Sequence, residues 1–233
     1  MTLPPKPESP KLEPLKFESL DFEPLDEPKH ADIAIVCHDI EPYLARFPAV
    51  NPASQSPTYP SIFSFSRASI TQLEQRSWDL ILVESATKQY TAPLIQMQQQ
   101  SSCSILFINN PSNDRHAITQ VCANISAKLY SDEMPNNLDV ADMRLFDSIN
   151  HHLFAFNSLS DAIDFLQSNP SVTVTAALYL AHNVANLAHY QQAMADLAAN
   201  LNDNCSFFTS MLDTGQGQCS ILVCLSAANE QTL

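Results

Sequence analysis

Glycine is nearly absent from this chain. Of 233 residues only Gly215 and Gly217 are glycine, where about 7% would be ordinary. Glycine supplies positive φ and lets backbone approach a ligand closely. Loops that cradle phosphate use both properties. A Gly-rich phosphate loop of the usual kind is therefore not expected anywhere before residue 215, and nucleotide enzymes built on such loops do not fit.

The rest of the composition describes a globular, acidic chain. Hydrophobic residues make up 45% and the formal net charge is −14. The length suffices for one or two domains with a real core. The charge argues against a nucleic-acid partner or an anionic membrane surface, since both need basic patches. No apolar run approaches the length of about 18 residues that spans a bilayer, so no direct membrane insertion is expected. The N-terminus is acidic and Pro-rich rather than signal-like, which predicts a cytoplasmic protein. The six cysteines, at 37, 103, 122, 205, 219 and 224, have no Cys-x-x-Cys spacing and read as buried reduced thiols. His151-His152 is the one histidine pair, with no third ligand nearby in sequence. Neither a metal nor a cofactor is expected.

Residues 1–30 read as a disordered, Pro-rich acidic tail. Within it a five-residue unit recurs: Pro7-Glu8-Ser9-Pro10-Lys11, Leu12-Glu13-Pro14-Leu15-Lys16, Phe17-Glu18-Ser19-Leu20-Asp21 and Phe22-Glu23-Pro24-Leu25-Asp26. A period of five suits neither helix nor strand. Phe17, Leu20, Phe22 and Leu25 are costly to expose and make a candidate linear motif; the plain alternative is a solvated spacer.

The body alternates strand-like and helix-like segments, which predicts an α/β fold. Ile33 to Cys37 and Asp79 to Glu84 are apolar runs typical of buried strands. Ser61 to Ser66, Ser104 to Asn109, His152 to Phe156, Val172 to Leu180, Cys205 to Leu212 and Cys219 to Leu225 are further strands. Helices are expected over 38–47, 69–76, up to about Gln100, 117–130, 142–150, 160–167 and 184–201. The 117–130 segment carries Ile118, Val121, Cys122, Ile125 and Leu129 at helical spacing. Residues 48–60 hold four prolines and read as loop.

Between the 117–130 helix and the next lies Asn137-Leu138-Asp139-Val140-Ala141-Asp142-Met143. Asn137 can supply the turn, Asp139 is the natural N-cap, and Asp142 stands at the third helical position. A capped helix start accounts for this pattern by itself. The stretch also resembles the synergy loop of FtsZ, the bacterial tubulin-like division GTPase, which reads Asn-x-Asp-x-x-Asp followed by Met. The flanks resemble that family too: Asn113-Asp114-Arg115 before the central helix, Thr91-Ala92-Pro93-Leu94-Ile95 after the Asp79 to Glu84 strand, and Ser168-Asn169-Pro170 at a helix end. The likeness is good from about Asn113 to Ala227 and patchy from Asp32 to Gln100.

The resemblance implies a shortened Rossmann-like N-terminal domain over 31–116, a central helix and connection over 117–135, and over 136–233 an FtsZ-like C-terminal α/β domain with a four-stranded sheet. It implies that Asn137, Asp139 and Asp142 enter the GTP pocket of a neighbouring subunit. No nucleotide-binding residue carries over. The family's glycine signature is replaced here by residues including Thr87, Lys88, Gln89 and Tyr90, and Asp39, Glu41 and Glu84 stand near the expected phosphate positions. The expected function is a non-catalytic FtsZ-like protein, a pseudo-GTPase that binds an FtsZ-type partner through its loop face and caps or modulates filament assembly in bacterial cell division. At most it supplies carboxylates in trans. The alternative is an α/β adaptor working through its N-terminal tail with no filament contact. A small-molecule enzyme fits least, since no nucleophile–base pair stands out in the sequence.

Overall fold

The computed structural model describes residues 31–47, 59–131, 137–147 and 151–226. The tail motif Phe17, Leu20, Phe22 and Leu25, and most of the Pro-rich 48–60 segment, lie outside the described residues.

The strands are β1 Ile33–Cys37, β2 Ser61–Ser64, β3 Leu80–Glu84, β4 Ser104–Asn109, β5 His151–Phe156, β6 Val174–His182, β7 Ser206–Leu212 and β8 Cys219–Ser226. The helices are α1 Glu41–Arg46, α2 Arg67–Glu74, α3 Lys88–Gln100, α4 Arg115–Leu129, α5 Val140–Met143, α6 Leu159–Ser168 and α7 Leu187–Ala198. The mixed α/β class expected from the alternating pattern is what forms.

The strands make one sheet in the order β2-β1-β3-β4-β5-β8-β6-β7. β1 to β5 run parallel as neighbours. β8 runs antiparallel to both β5 and β6, and β7 is parallel to β6. The four strands expected of the C-terminal half are present as β5-β8-β6-β7, but they do not form a sheet of their own. β4 and β5 join them to the N-terminal strands through Ile108↔Leu153 and Asn109↔Phe154.

Every residue of β1 and β3 is buried, because helices cover both faces. Alternate residues serve the two faces, as the pleat requires. Ile33, Ile35, Leu80 and Leu82 meet Ile118, Val121, Cys122 and Ile125 of α4. Ala34, Val36, Ile81 and Val83 meet Ile70 and Leu73 of α2 and Leu94 of α3. In the C-terminal half, Ala177, Tyr179, Ile221 and Val223 meet Ala162 and Leu166 of α6 and Tyr190 and Leu197 of α7.

α4 sets the distance between the two ends of the molecule. Asp114 caps it, its carboxylate accepting from the His116 and Ala117 N–H groups at 2.9 and 3.2 Å. It starts at the carboxyl edge of the parallel strands, just past β4. It ends at the opposite edge, where the Tyr130 hydroxyl donates to the Ala31 carbonyl at 3.0 Å and accepts from the Ile33 N–H at 3.3 Å.

The expected helix over 142–150 is corrected. α5 is a single turn, followed by a 3-10 turn over Arg144–Phe146. Met143 and Phe146 are three apart and both buried, a spacing that the tighter 3-10 turn puts on one side. Asp147 is then extended. Residues 148–150 lie outside the described residues.

Candidate functional site

The order β2-β1-β3-β4 reverses direction between β1 and β3. In open parallel sheets a ligand crevice lies at that point, outside the carboxyl ends of the strands. Here the crevice is occupied by the protein itself. Glu84, the last residue of β3, is 3% exposed. Its Oε1 accepts from the Tyr43 hydroxyl at 2.5 Å and the Thr119 hydroxyl at 2.7 Å. Its Oε2 accepts from the His38 N–H at 3.2 Å. The His38 ring lies over the next residue, Nε2 standing 3.4 Å from the Ser85 carbonyl oxygen. His38, Phe65 and Tyr90 then form an aromatic row with centroid distances of 4.6 and 5.1 Å.

Burial, with the charge of Glu84 second, pushes the Cys37 thiol up to about 12. Burial likewise lifts Tyr43 well above its ordinary value. Cys37 is therefore a thiol and no nucleophile at neutral pH, and Tyr43 keeps the proton it donates to Glu84. Asp39 accepts from the Glu41 N–H at 3.1 Å. Glu41 and Lys88 are exposed.

Glu84 was legible as a charge closing an apolar run. Its partners were not. Tyr43 lies 41 residues away and Thr119 lies 35, and nothing local marks either. The lack of glycine also misleads in one respect. Ser85, Asn113 and Asn183 take positive φ values of 34°, 56° and 51°. They follow the carboxyl ends of β3, β4 and β6, so left-handed backbone is present at this edge without glycine.

The Asn137 loop lies at the opposite edge, beyond the end of α4. Asn137 and Asp139 are exposed and Asp142 is half-buried. The Asp139 carboxylate accepts from the Asp142 N–H at 2.9 Å, and the Asp142 carboxylate accepts from the Asp139 N–H at 3.1 Å. This is a reciprocal capping box, with Asp139 at the N-cap and Asp142 at the third position as the sequence indicated. Each carboxylate commits one oxygen to the cap. Leu138, Met143 and Phe146 anchor the loop in the main core. Burying each contributes about 1.5–3 kcal/mol, more than the cap at about 1 kcal/mol. Packing, not the carboxylates, holds the loop in place.

A second polar cluster was missed by the sequence reading. Ser220 Oγ lies 3.1 Å from Nε2 of His182. Asn124 Nδ2 donates to Ser220 Oγ at 3.0 Å and to the Gln216 carbonyl at 2.8 Å. The Gln216 N–H donates back to Asn124 Oδ1 at 2.9 Å. Ser220 is fully buried, so this serine–histidine pair has no access for a substrate. It fastens residues 213–218 to β6 and α4.

The remaining candidates have structural uses. All six cysteines are free, five buried and Cys205 half-buried. The His152 ring stacks on Phe154. Among the described residues, no cluster of three or more His, Cys, Asp or Glu side chains could hold a metal, and no helix is long and apolar enough to cross a membrane.

No family model and no curated protein matches the chain. Among solved structures it is similar to the FtsZ dimer of M. jannaschii, at 12% identity and a TM-score of 0.41, over 65% of this chain and 55% of that one. It is similar to CetZ from Methanosaeta thermophila at 12% identity and a TM-score of 0.36, over 68% and 55%. A Lactococcus lactis protein described under regulation of the dha operon matches at 10% identity and a TM-score of 0.34, over 86% and 80%. The chain thus spans little more than half the length of the first two. At these scores the likenesses say nothing of ligands or chemistry, which rest on the chain's own residues.

Proposed function

We propose that this chain is a non-catalytic FtsZ-like protein that docks its Asn137–Leu145 edge on an FtsZ-type partner and caps or modulates filament assembly in bacterial cell division. One observation carries the reading. The loop that resembles a synergy loop is exposed at one edge, while the crevice at the other edge is filled by Glu84 and its donors. Such a subunit has one usable face. It can add to a filament end but offers no nucleotide for the next subunit, so addition stops there. Asp139 and Asp142 each keep an oxygen outside the cap and can orient a water in a partner's pocket, as positioned carboxylates do. The chain would then act in the cytoplasm as half an active site, without turnover of its own.

The test mixes wild-type protein with purified FtsZ and GTP and follows filament mass by sedimentation and phosphate release by a coupled assay. Sub-stoichiometric to stoichiometric protein should change filament length or turnover. Asp139→Ala with Asp142→Ala should weaken that effect while the fold survives. If wild-type protein at stoichiometric amounts leaves both readouts untouched, the tail-adaptor reading replaces this one.

A further inference from the structure

We infer that Glu84 is an internal ligand: its carboxylate fills a small oxyanion site in the β1/β3 crevice, and its removal opens that site to an external oxyanion such as inorganic phosphate. The inference rests on reading this crevice as unused for nucleotide in the native chain.

Three elements send donors to the carboxylate that ends β3. The His38 N–H comes from the turn after β1, the Tyr43 hydroxyl from α1, and the Thr119 hydroxyl from the first turns of α4. Among the described residues its partners are these donors and no cation. An ionised carboxylate only accepts, and each oxygen can take more than one donor. The Tyr43 and Thr119 hydroxyls stand 2.5 and 2.7 Å from the same carboxylate oxygen. Two oxygens held by three convergent donors, one of them backbone, is also how a phosphate or sulfate is gripped.

The backbone beside the carboxylate is shaped as well. Ser85, directly after Glu84, has φ 34°. Non-glycine residues adopt such values at a cost, and they collect where backbone is shaped around a ligand. Here the shape persists while the ligand is a side chain of the same chain. Tethering favours the side chain over a free anion, because a group on the chain is present at an effective concentration that a dilute solute does not reach.

The experiment compares wild-type protein with Glu84→Ala, each titrated with inorganic phosphate against sodium chloride at matched ionic strength. Thermal unfolding and calorimetry are the readouts. Glu84→Ala keeps all three donors and gains space. Its midpoint should be lower than wild type and should rise by several degrees as phosphate saturates the site, since a ligand that binds only the folded state stabilises it. Wild-type protein should respond to phosphate no more than to chloride. Adding Tyr43→Phe to Glu84→Ala should weaken phosphate binding severalfold. A folded Glu84→Ala that binds no phosphate overturns the inference, as does a wild-type protein that binds it equally well. Should Glu84→Ala be recovered unfolded, phosphate-dependent recovery of folded protein supports the inference and its absence overturns it. The FtsZ mixing assay uses wild-type protein and reads only the Asn137 edge, so the two failures are distinguishable.

Discussion

The ring of His182 lies so close to Gly215 that a Cβ at position 215 would stand 2.3 Å from its Cγ. The other glycine is used two residues later. Gly217 has φ +76°, and a Cβ there would fall 2.8 Å from Gln120 Oε1 and 3.2 Å from the Asn157 carbonyl oxygen. Both glycines thus serve one connection, where residues 213–218 carry the chain from β7 to β8 between β6 and α4. Gly215→Ala forces the buried ring to move. Overpacking of that kind costs about 1–3 kcal/mol, and urea denaturation should find a loss in that range. A loss inside experimental error would mean that the loop yields freely.

The same histidine makes stability depend on pH. Burial, with the charge of Arg46 adding to it, holds His182 at about 4, below its ordinary 6.5. Arg46 reaches the loop through the Thr214 carbonyl. Between these two values the unfolded chain binds a proton that the folded chain refuses. The neutral ring's contribution is complete above about pH 6.5 and is lost as pH falls toward 4, by at most about 1.4 kcal/mol per pH unit. Asp147, whose carboxyl is pushed up by burial, works in the opposite sense over the lower part of this range. Comparison with His182→Gln isolates the histidine. The stability advantage of wild type over the variant should shrink from pH 7 to pH 4.5, and an advantage that stays constant would refute the assignment.

Ser85 offers a stabilising change. Its φ of 34° lies in the left-handed region, where a residue with a Cβ loses roughly 1–2 kcal/mol. Glycine removes that cost but adds freedom to the unfolded chain, which returns about 0.4–1 kcal/mol of it. Ser85→Gly should therefore leave the midpoint unchanged or raise it slightly, whereas Ser85→Val should lower it. The pair of melting curves decides whether the strain is real.

What the sequence disclosed and what it hid divide along contact range. β1 and β3 were legible because strands buried on both faces need unbroken apolar runs such as Ile33 to Cys37 and Leu80 to Val83. α4 was legible from its spacing, and the Asp139–Asp142 cap was legible because its bonds span three residues. The insertion of β8 between β5 and β6 was not, since no local pattern specifies which strands become neighbours. The joint between β4 and β5 depends on two residue pairs and leaves no mark in either strand. The short helix after Asp139 was overextended because the burial of Phe146, not propensity, ends it. In the crevice, Glu84 was visible as a charge, but its donors come from α1 and α4 and become neighbours only when the fold closes.

The cap itself can be weighed against the packing beneath it. Asp139→Ala removes the acceptor for the Asp142 N–H and should cost about 1 kcal/mol. Asp142→Ala removes the return bond to the Asp139 N–H. The two bonds form one unit, so the double variant should lose less than the sum of the single losses. Additive losses in chemical denaturation would mean that the two bonds act separately.

Leu145 carries the last prediction. It is 54% exposed, while Met143 and Phe146 on either side are buried, so the 3-10 turn presents it outward beside exposed Arg144. A single exposed leucine is ordinary on a monomer. One in the same short segment as exposed Asn137 and Asp139, on the edge proposed to dock, is the apolar contact that this edge offers. Leu145→Ser should leave stability within about 0.5 kcal/mol, because an exposed side chain has little packing to lose. If Leu145 is one of the few interface side chains that cost more than about 1 kcal/mol when truncated, the variant's effect on an FtsZ-type partner should nevertheless fall severalfold. Equal activity of Leu145→Ser and wild type in the filament assay, with Asp139→Ala plus Asp142→Ala still defective, would confine the contact to the carboxylates. Loss of effect in Leu145→Ser with an unchanged melting curve would support a docking edge that runs the full length from Asn137 to Leu145.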